Sequence, residues 1–505
     1  MISAFTNTFK IPELRNRVLF TLLLLVVVRL GAAITCPGVD ASVLHEWFKH
    51  EATRAAGGNS FAALFNLFSG GAMENCAIFS LGVMPYISAS IMMQLLTAVV
   101  APLAKLAKED GGRQKITQYT RYATIALCLM QGAALASTFQ NPGSNIFLPG
   151  IVETIGRLGR HLVVNEGFFS FLFPTVIALT AGTMFLMWIG DQITERGIGN
   201  GMSLIITIGI VARLPAGLMQ VWQTFIPSEG QKSSVQPMVL VLMIAFFLMV
   251  VAAVICITQA QRKIAVQYAK RVVGRKQTGG GTQYMPLKVN YAGVMPIIFG
   301  QALLMFPYQI VQSIPLLRGS DIAQKVAANL SDGPLHYSVY AAMIFFFSYF
   351  WVATQFQPQQ IAEDLKKYGG YIPGVRPGKP TADYLDYAMT RLTFAGAVFL
   401  TIIAILPQVL TRSLGVPQMA ASFFGGTSLL IMVGVVLDTM RQIETHLIQR
   451  HYDGFLRKGR LRGRFERTPS GFGEAVQQGA MIWPFVVVAA LVIIAAVLFL
   501  AHGYR

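Results

Sequence analysis

The chain has 505 residues, of which 54% are apolar and only 12% charged, and it carries a formal net charge of +17. A soluble globular chain usually holds about 25% charged residues, so this composition excludes an ordinary soluble domain and indicates a polytopic membrane protein. The positive surplus sits in particular loops, which fits a topological signal and contact with membrane lipids, and no direct DNA binding is expected.

Segments long enough for about 30 Å of hydrocarbon are expected at Val18–Ile34, Ala77–Val100, Tyr122–Phe139 and Phe168–Ile189, with a weaker one at Met202–Leu214. The series continues at Met238–Ile257, Ala292–Val311, Val339–Ala353, Phe394–Leu410 and Phe423–Leu437, and a charge-free run closes it at Met481–Ala501. That makes about eleven spans. Lys10, Arg15 and Arg17 precede the first, which reads as an uncleaved span and not as a removable signal. With the N-terminus inside, most of the 40 Lys and Arg fall on one face, in the loops around Lys105 to Lys115, Arg262 to Lys276 and Lys366 to Lys379.

The stretch Gly70 to Leu96 organises the rest. It is apolar enough for membrane depth, yet it opens on Gly70-Gly71, carries Pro85 in its interior, and shows Ser88, Ser90 and Gln94 on the far side. This pattern predicts a broken helix, which hydrocarbon tolerates only where protein or a water-filled cavity satisfies the freed backbone groups. Its phrase Gly82-Val83-Met84-Pro85 returns as Gly293-Val294-Met295-Pro296, with Ile87 and Ile298 each two residues past the proline. Both belong to the second span of a five-span half, and an odd number of spans per half inverts the repeat. Ahead of the first copy, 61–68 is apolar but too short to span; it lies at the interface or folds back into a cavity, and the residues alone favour the interface.

Three loops on the basic face stand out: the glycine-rich Gly190–Ser203, the basic Gln261–Lys276, and Tyr371–Gly378, whose prolines and glycines stiffen a tip bearing Arg376. Singly each reads as a solvated loop, but two large basic loops on one face favour a docking platform for an acidic or anionic partner. Gly111–Lys115 and Gly279–Gly281 lack the spacing of a phosphate-binding loop, and no nucleophile or metal motif appears, so neither catalysis nor a cofactor is expected. Cys36, Cys76, Cys128 and Cys256 read as small apolar residues in helices; the first two share the outer side, where a disulfide is open but unsupported. The histidines, His45 among them, map to loops or span ends as ordinary surface residues. Arg29 and Arg213 are the ionisable groups near membrane depth, each able to snorkel from a span end. A path free of buried charge and lined by aliphatic groups suits a cargo that is not recognised chemically.

A set of longer motifs carries a closer likeness: Ser69-Gly70-Gly71-Ala72, Gly82–Leu96, Lys115–Tyr122, Gly182–Ser203, Pro286–Asn290, Asp364–Gly378 and Phe424–Leu430. Through them the chain from Pro12 to Arg464 resembles the SecY family of protein-translocase channels. The resemblance implies an all-α polytopic membrane protein, a ten-helix channel of two inverted five-helix halves. SecE would clamp it and SecG accompany it. Unfolded preproteins would cross through its centre, while signal peptides and membrane segments leave sideways. It would be no enzyme itself, its energy coming from the ATPase SecA, the ribosome or the proton-motive force, and it would sit in the bacterial cytoplasmic (inner) membrane.

Carried over by motif, the pore ring is Val83, Ile87, Met202, Ile206, Ile298 and Ile431. The plug lies in 61–72 with Phe61, Leu64, Phe65, Leu67 and Phe68; the lateral gate involves Pro85, Ser88, Gln94, Asn290 and Pro296; SecA and the ribosome dock at Arg271, Arg275, Lys276 and Arg376. The halves are 1–214 and 238–450, joined by an external linker 215–237; the second holds cytoplasmic loops 258–290 and 354–391. A basic tail 451–480 leads to 481–505, an additional transmembrane helix that departs from the family pattern. Val83 and Met202 depart too, standing where isoleucine is common. Two other readings are a specialised accessory translocon for a limited substrate set, and a secondary transporter of a small solute, against which the lack of buried paired charge argues.

Overall fold

The computed structural model describes residues 11–54, 66, 69–109, 111–140, 151–163, 167–225, 237–268, 271–273, 276–278, 281–300, 303–304, 334–414 and 426–457. The chain divides into two compact units, Met1–Met249 with Leu410–Phe424 and Ile431–Arg505, and Val250–Val409 with Gly425–Leu430. The plug residues Phe61, Leu64, Phe65, Leu67 and Phe68, the docking residue Arg275 and the closing run Met481–Ala501 lie outside the described residues.

In the first unit α1 (Pro12–Gly31) starts on a proline, where a missing N–H removes no helix bond. Past its end the Cys36 N–H donates to the Cys76 carbonyl and the Ile78 N–H to the Ile34 carbonyl, so Thr35 faces Ala77 in an antiparallel bridge. Then comes α2 (Ala41–Arg54), headed by Asp40, whose carboxylate accepts from the Ser42 N–H at 3.0 Å and the Ser42 hydroxyl at 2.6 Å. The Ser42 hydroxyl, aided by Arg160, holds the Asp40 carboxyl below the usual carboxylate range. Val43, Leu44 and Trp47 of α2 are buried in one cluster with Phe139, Ile151 and Phe171.

Residues 69–83 form a run of turns, and α3 (Met84–Val99) begins only at Met84. The expected broken helix over Gly70–Leu96 is thus replaced by a late start: Pro85 stands in the first turn, not in a helix interior. Gly70, Gly71 and Gly82, with φ of +66°, +89° and +58°, hold a left-handed backbone that excludes a helix upstream. The break lies at the other end. There α4 (Ala101–Lys108) leaves α3 at a bend of 104°, because Pro102 cannot donate into the α3 ladder.

α5 (Gly112–Gln140), α6 (Ile151–Leu158), α7 (Phe173–Arg196) and α8 (Gly201–Phe225) complete the helices described in 101–225, and a π-helical turn, Phe168–Leu172, leads into α7. Gly190 lies inside α7, so the glycine-rich turn shrinks to 197–200. Its N–H groups are satisfied from three directions: Ile198 donates to the Thr21 hydroxyl at 3.1 Å, Gly199 to the Gln442 amide oxygen at 2.9 Å, and Gly201 to the Thr194 hydroxyl at 2.9 Å. α8 runs through Pro215 to Phe225, into the stretch read as linker.

α9 (Pro237–Gln259) leads to strands β1 (Gln261–Tyr268), β2 (Arg271–Val273), β3 (Lys276–Thr278) and β4 (Thr282–Lys288). The basic loop of the second unit is therefore a β-structure within an otherwise helical fold. β1 pairs antiparallel with β4, from Gln261 opposite Lys288 to Gln267 opposite Thr282, and on its other edge with β5 (Gly370–Tyr371). A helix starts at 295, followed by α10 (Pro334–Gln355), α11 (Pro358–Lys367) and α12 (Lys379–Leu414); α13 (Gly426–Arg457) comes last. Phe299 meets Phe347 and Trp351 edge-on in the core of the second unit.

Among the described residues five helical stretches are long and apolar enough to cross a membrane, and the bent α3–α4 pair makes a sixth if counted as one broken span. Close backbone approach fixes how α7 meets the turns. A Cβ on Gly182 would stand 2.3 Å from the Ile78 carbonyl oxygen, whereas one on Gly156 in α6 would meet nothing within 4 Å. Gly182→Ala should cost about 1–3 kcal/mol by overpacking, read as a lower melting temperature of the purified protein, while Gly156→Ala should leave it unchanged or slightly higher.

Candidate functional site

The residues expected to line a pore are placed by how α3 begins. Gly82 turns the chain with its left-handed backbone, Met84-Pro85 enters the helix, and the Ile87 N–H donates to the Val83 carbonyl at 3.1 Å. In the second unit the repeated phrase does the same work. Gly293 has φ +64°, the helix starts at Met295-Pro296, and the Ile298 N–H donates to the Val294 carbonyl at 3.4 Å. Val83, Ile87 and Met202 come together in one apolar cluster with Leu24, Phe79, Leu186 and Ile205. Ile206 is buried on α8, Ile298 is buried in the second unit, and Ile431 is buried on α13. Of the lateral-gate residues Pro85 and Pro296 are buried and Ser88 and Asn290 half-buried; the exposed Gln94 donates to the Ser90 hydroxyl at 3.4 Å.

Beside this cluster lies a polar constellation that the sequence did not announce. Arg213 Nη2 donates to Glu74 Oε2 at 2.7 Å, His45 Nδ1 stands 2.8 Å from Glu74 Oε1, and Arg29 Nη1 donates to the Gly70 carbonyl at 2.8 Å. The Glu74 N–H in turn donates to Asn66 Oδ1 at 3.2 Å. The Arg213 side chain is 12% exposed and that of Glu74 25%. Arg29 and Arg213 therefore do not snorkel: acceptors inside the fold are in reach, and pairing there avoids stretching to an interface. His45 is a surface histidine, its side chain 61% exposed, that also reaches Glu74, and Arg213–Glu74 is a paired charge. Gly70 permits this packing, since a Cβ there would lie 2.6 Å from the Gly209 Cα. Arg29 and Ser69 share a small pocket with Val83 and Ile205, so the charged and apolar groups adjoin.

Two of the cysteines also differ from expectation. Cys128 and Cys256 are helical, but Cys36 and Cys76 sit in turns, facing each other across the bridge and buried. In the second unit β5 lies against β1, and the Tyr371 hydroxyl donates to Gln267 Oε1 at 2.9 Å, which brings the basic hairpin and the Tyr371–Gly378 tip side by side. Arg376 is exposed on that tip; Arg271 is opposite Thr278, and Lys276 opposite Val273. Among the described residues no group of acidic, His and Cys side chains fits a metal.

Residues 77–440 match the profile of the SecY family. The chain belongs to the SecY family. The protein translocase subunit SecY of Streptomyces scabiei is 44% identical over 460 residues, covering 90% of this chain and 100% of that one. That of Chlamydia trachomatis is 42% identical over 461 residues, covering 91% and 99%. Two solved structures share the fold: a protein-conducting channel (TM-score 0.53, 16% identity, 86% of this chain and 93% of that one) and the idle yeast Ssh1 complex bound to the yeast 80S ribosome (TM-score 0.53, 16% identity, 84% and 89%). The chain is a multi-pass membrane protein with the helical SecY-type channel fold.

Removing Glu74 leaves Arg213 half-buried without its carboxylate, and removing Arg213 leaves half-buried Glu74 with His45 alone. Glu74→Ala and Arg213→Ala should each destabilise by about 2 kcal/mol. The double variant should cost less than their sum by about 0.5–3 kcal/mol, a coupling measurable in a double-mutant cycle on the purified protein.

Proposed function

We propose that this chain is the channel-forming subunit of a bacterial protein translocase, passing unfolded preproteins across the cytoplasmic membrane and releasing signal peptides and membrane segments sideways into the bilayer. The observation that carries this reading is the SecY family match over 77–440. The apolar cluster around Val83, Ile87 and Met202 agrees with it. We assign Val83, Ile87, Met202, Ile206, Ile298 and Ile431 to the lining of the path. Aliphatic side chains make no hydrogen-bond demand on the cargo, so they admit any sequence and close by dewetting when it leaves. Val83 removes a methylene from this lining and Met202 adds a flexible thioether, which lets the seal adapt.

On the same reading 61–72 is the plug, and the contacts of Gly70 and Glu74 anchor its C-terminal end. Pro85, Ser88, Gln94, Asn290 and Pro296 belong to the sideways exit. The N-terminus faces the cytoplasm, because that orientation puts most of the basic loops inside. Arg271, Arg275, Lys276 and Arg376 then offer positive charge to SecA or the ribosome, which supply the energy together with the proton-motive force. SecE and SecG are the partner subunits. Solved structures of similar fold described as the yeast Ssh1 complex and canine Sec61 are in complex with ribosomes, which supports the ribosome as a partner here.

The test is photo-crosslinking in inverted membrane vesicles, with a photoreactive residue at Ile87 or Ile298, a stalled secretory precursor, and SecA with ATP added or withheld. Crosslinks at both positions that require SecA and ATP are the expected result. Vesicles that translocate the precursor yet give crosslinks at neither would remove Ile87 and Ile298 from the path.

A further inference from the structure

We propose that Cys36 and Cys76 are a disulfide-forming pair that closes the loop 37–75 at its base. The backbone register carries the proposal. The Cys36 N–H donates to the Cys76 carbonyl at 2.8 Å and the Ile78 N–H to the Ile34 carbonyl at 3.0 Å, which makes Thr35–Ala77 the bridge and sets Cys36 directly opposite Cys76. Residues opposed in an antiparallel pair have Cα atoms about 4.5–5.5 Å apart, and disulfides span about 4.4–6.8 Å. Both cysteines are free and buried.

The backbone of Cys76 adds a second argument. Its φ of +42° is the one positive value at a non-glycine among the described residues. Glycine would hold that conformation with less strain, so a side chain kept there despite its cost points to a use for the sulfur. The two thiols are also unequal. The hydrogen bond from Cys76 holds the Cys36 thiol below its ordinary range, and the same bond with burial pushes the Cys76 thiol up. In the docked fold the Cys36 thiolate is therefore the better stabilised of the two.

The oxidant is a disulfide of the thiol–disulfide exchange class. The Cys36 thiolate attacks one of its sulfurs, forming a mixed disulfide and releasing the other as a thiolate. Cys76 then attacks the Cys36 sulfur, forming the intramolecular bond and expelling the second. The two thiol protons pass to the expelled sulfurs, so the partner leaves as a dithiol, reduced by the two electrons that the cysteines lose. With Cys36 only 2% and Cys76 0% exposed, exchange takes place before 69–83 docks, and the finished bond is shielded from reductants. The loop so closed contains α2 and all of 61–72, and the bond keeps its ends together.

That the bond forms in the cell rests on the proposed orientation, which puts the pair on the outer face. The experiment is a non-reducing peptide map of the protein from native membranes quenched in acid and alkylated with N-ethylmaleimide, beside chain inserted into liposomes under an oxidising glutathione buffer. A Cys36–Cys76 linked peptide from the membranes, with alkylated Cys128 and Cys256, is expected. Linkage in the liposomes alone overturns bond formation in the cell and the outer placement, while the channel reading stands. Free thiols in both preparations overturn the pair itself. Cys36→Ser, Cys76→Ser and the double variant should lower the melting temperature equally, by several degrees, because each breaks the same bond; effects that add would overturn the cross-link in favour of plain packing.

Discussion

Glu74 is where the first unit is tied together. It takes Arg213 from α8 on one oxygen and His45 from α2 on the other, while two residues of the same run, Gly70 and Gly71, lie against Gly209 and Arg213. The need for such a knot follows from the solvent. A stretch of turns in a membrane protein has no helix ladder to satisfy its polar groups, and lipid offers none. Inside 69–83 the remaining groups are closed locally: the Ser80 hydroxyl donates to the Ala77 carbonyl at 2.5 Å, the Ala77 N–H to Ala72 at 2.8 Å, and the Gly82 N–H to Phe79 at 2.8 Å. The turns can then lie against α7 and α8 with these groups satisfied, although Arg213 Nε is buried without a hydrogen-bond partner.

Because Arg29 and Ser69 line the same pocket as Val83 and Ile205, the polar knot and the apolar cluster are neighbours in space. Anything that lifts the turns away from α8 must part Arg213 from Glu74 and disturb the packing of Val83 together. The same knot bears on the solute-transporter alternative. A half-buried ion pair does exist, so charge pairing is not absent from the fold; the pair is bonded to neighbouring structure, and it is the family match that decides against a carrier.

The helical membrane fold was legible from hydropathy, and Gly-Val-Met-Pro was legible as a repeat, because the same residue types make the same entry into a helix at Met84 and Met295. Where that helix starts was not. Ala77–Val83 is as apolar as the helix it precedes, so the boundary depends on backbone angles that hydropathy does not register. Arg29 and Arg213 were misjudged for a different reason. Their acceptors come from 70–74, distant in sequence, and a lone Glu74 beside two glycines was the available signal. The sheet was hidden because, of β1, only Ile264 and Val266 are buried, too few to stand out among Arg262, Lys263 and the following basic residues. The facing of Cys36 and Cys76 depends on register between separate segments, which spacing alone does not reveal.

The late start of α3 has an electrostatic consequence. Its first turn lies well inside the expected span Ala77–Val100, and the helix that starts at 295 begins in the same way within Ala292–Val311. A helix N-terminus carries about half a positive charge from its aligned peptide dipoles. Each entry thus sets a fixed positive potential at the start of its helix without an ionisable side chain, one that pH does not titrate.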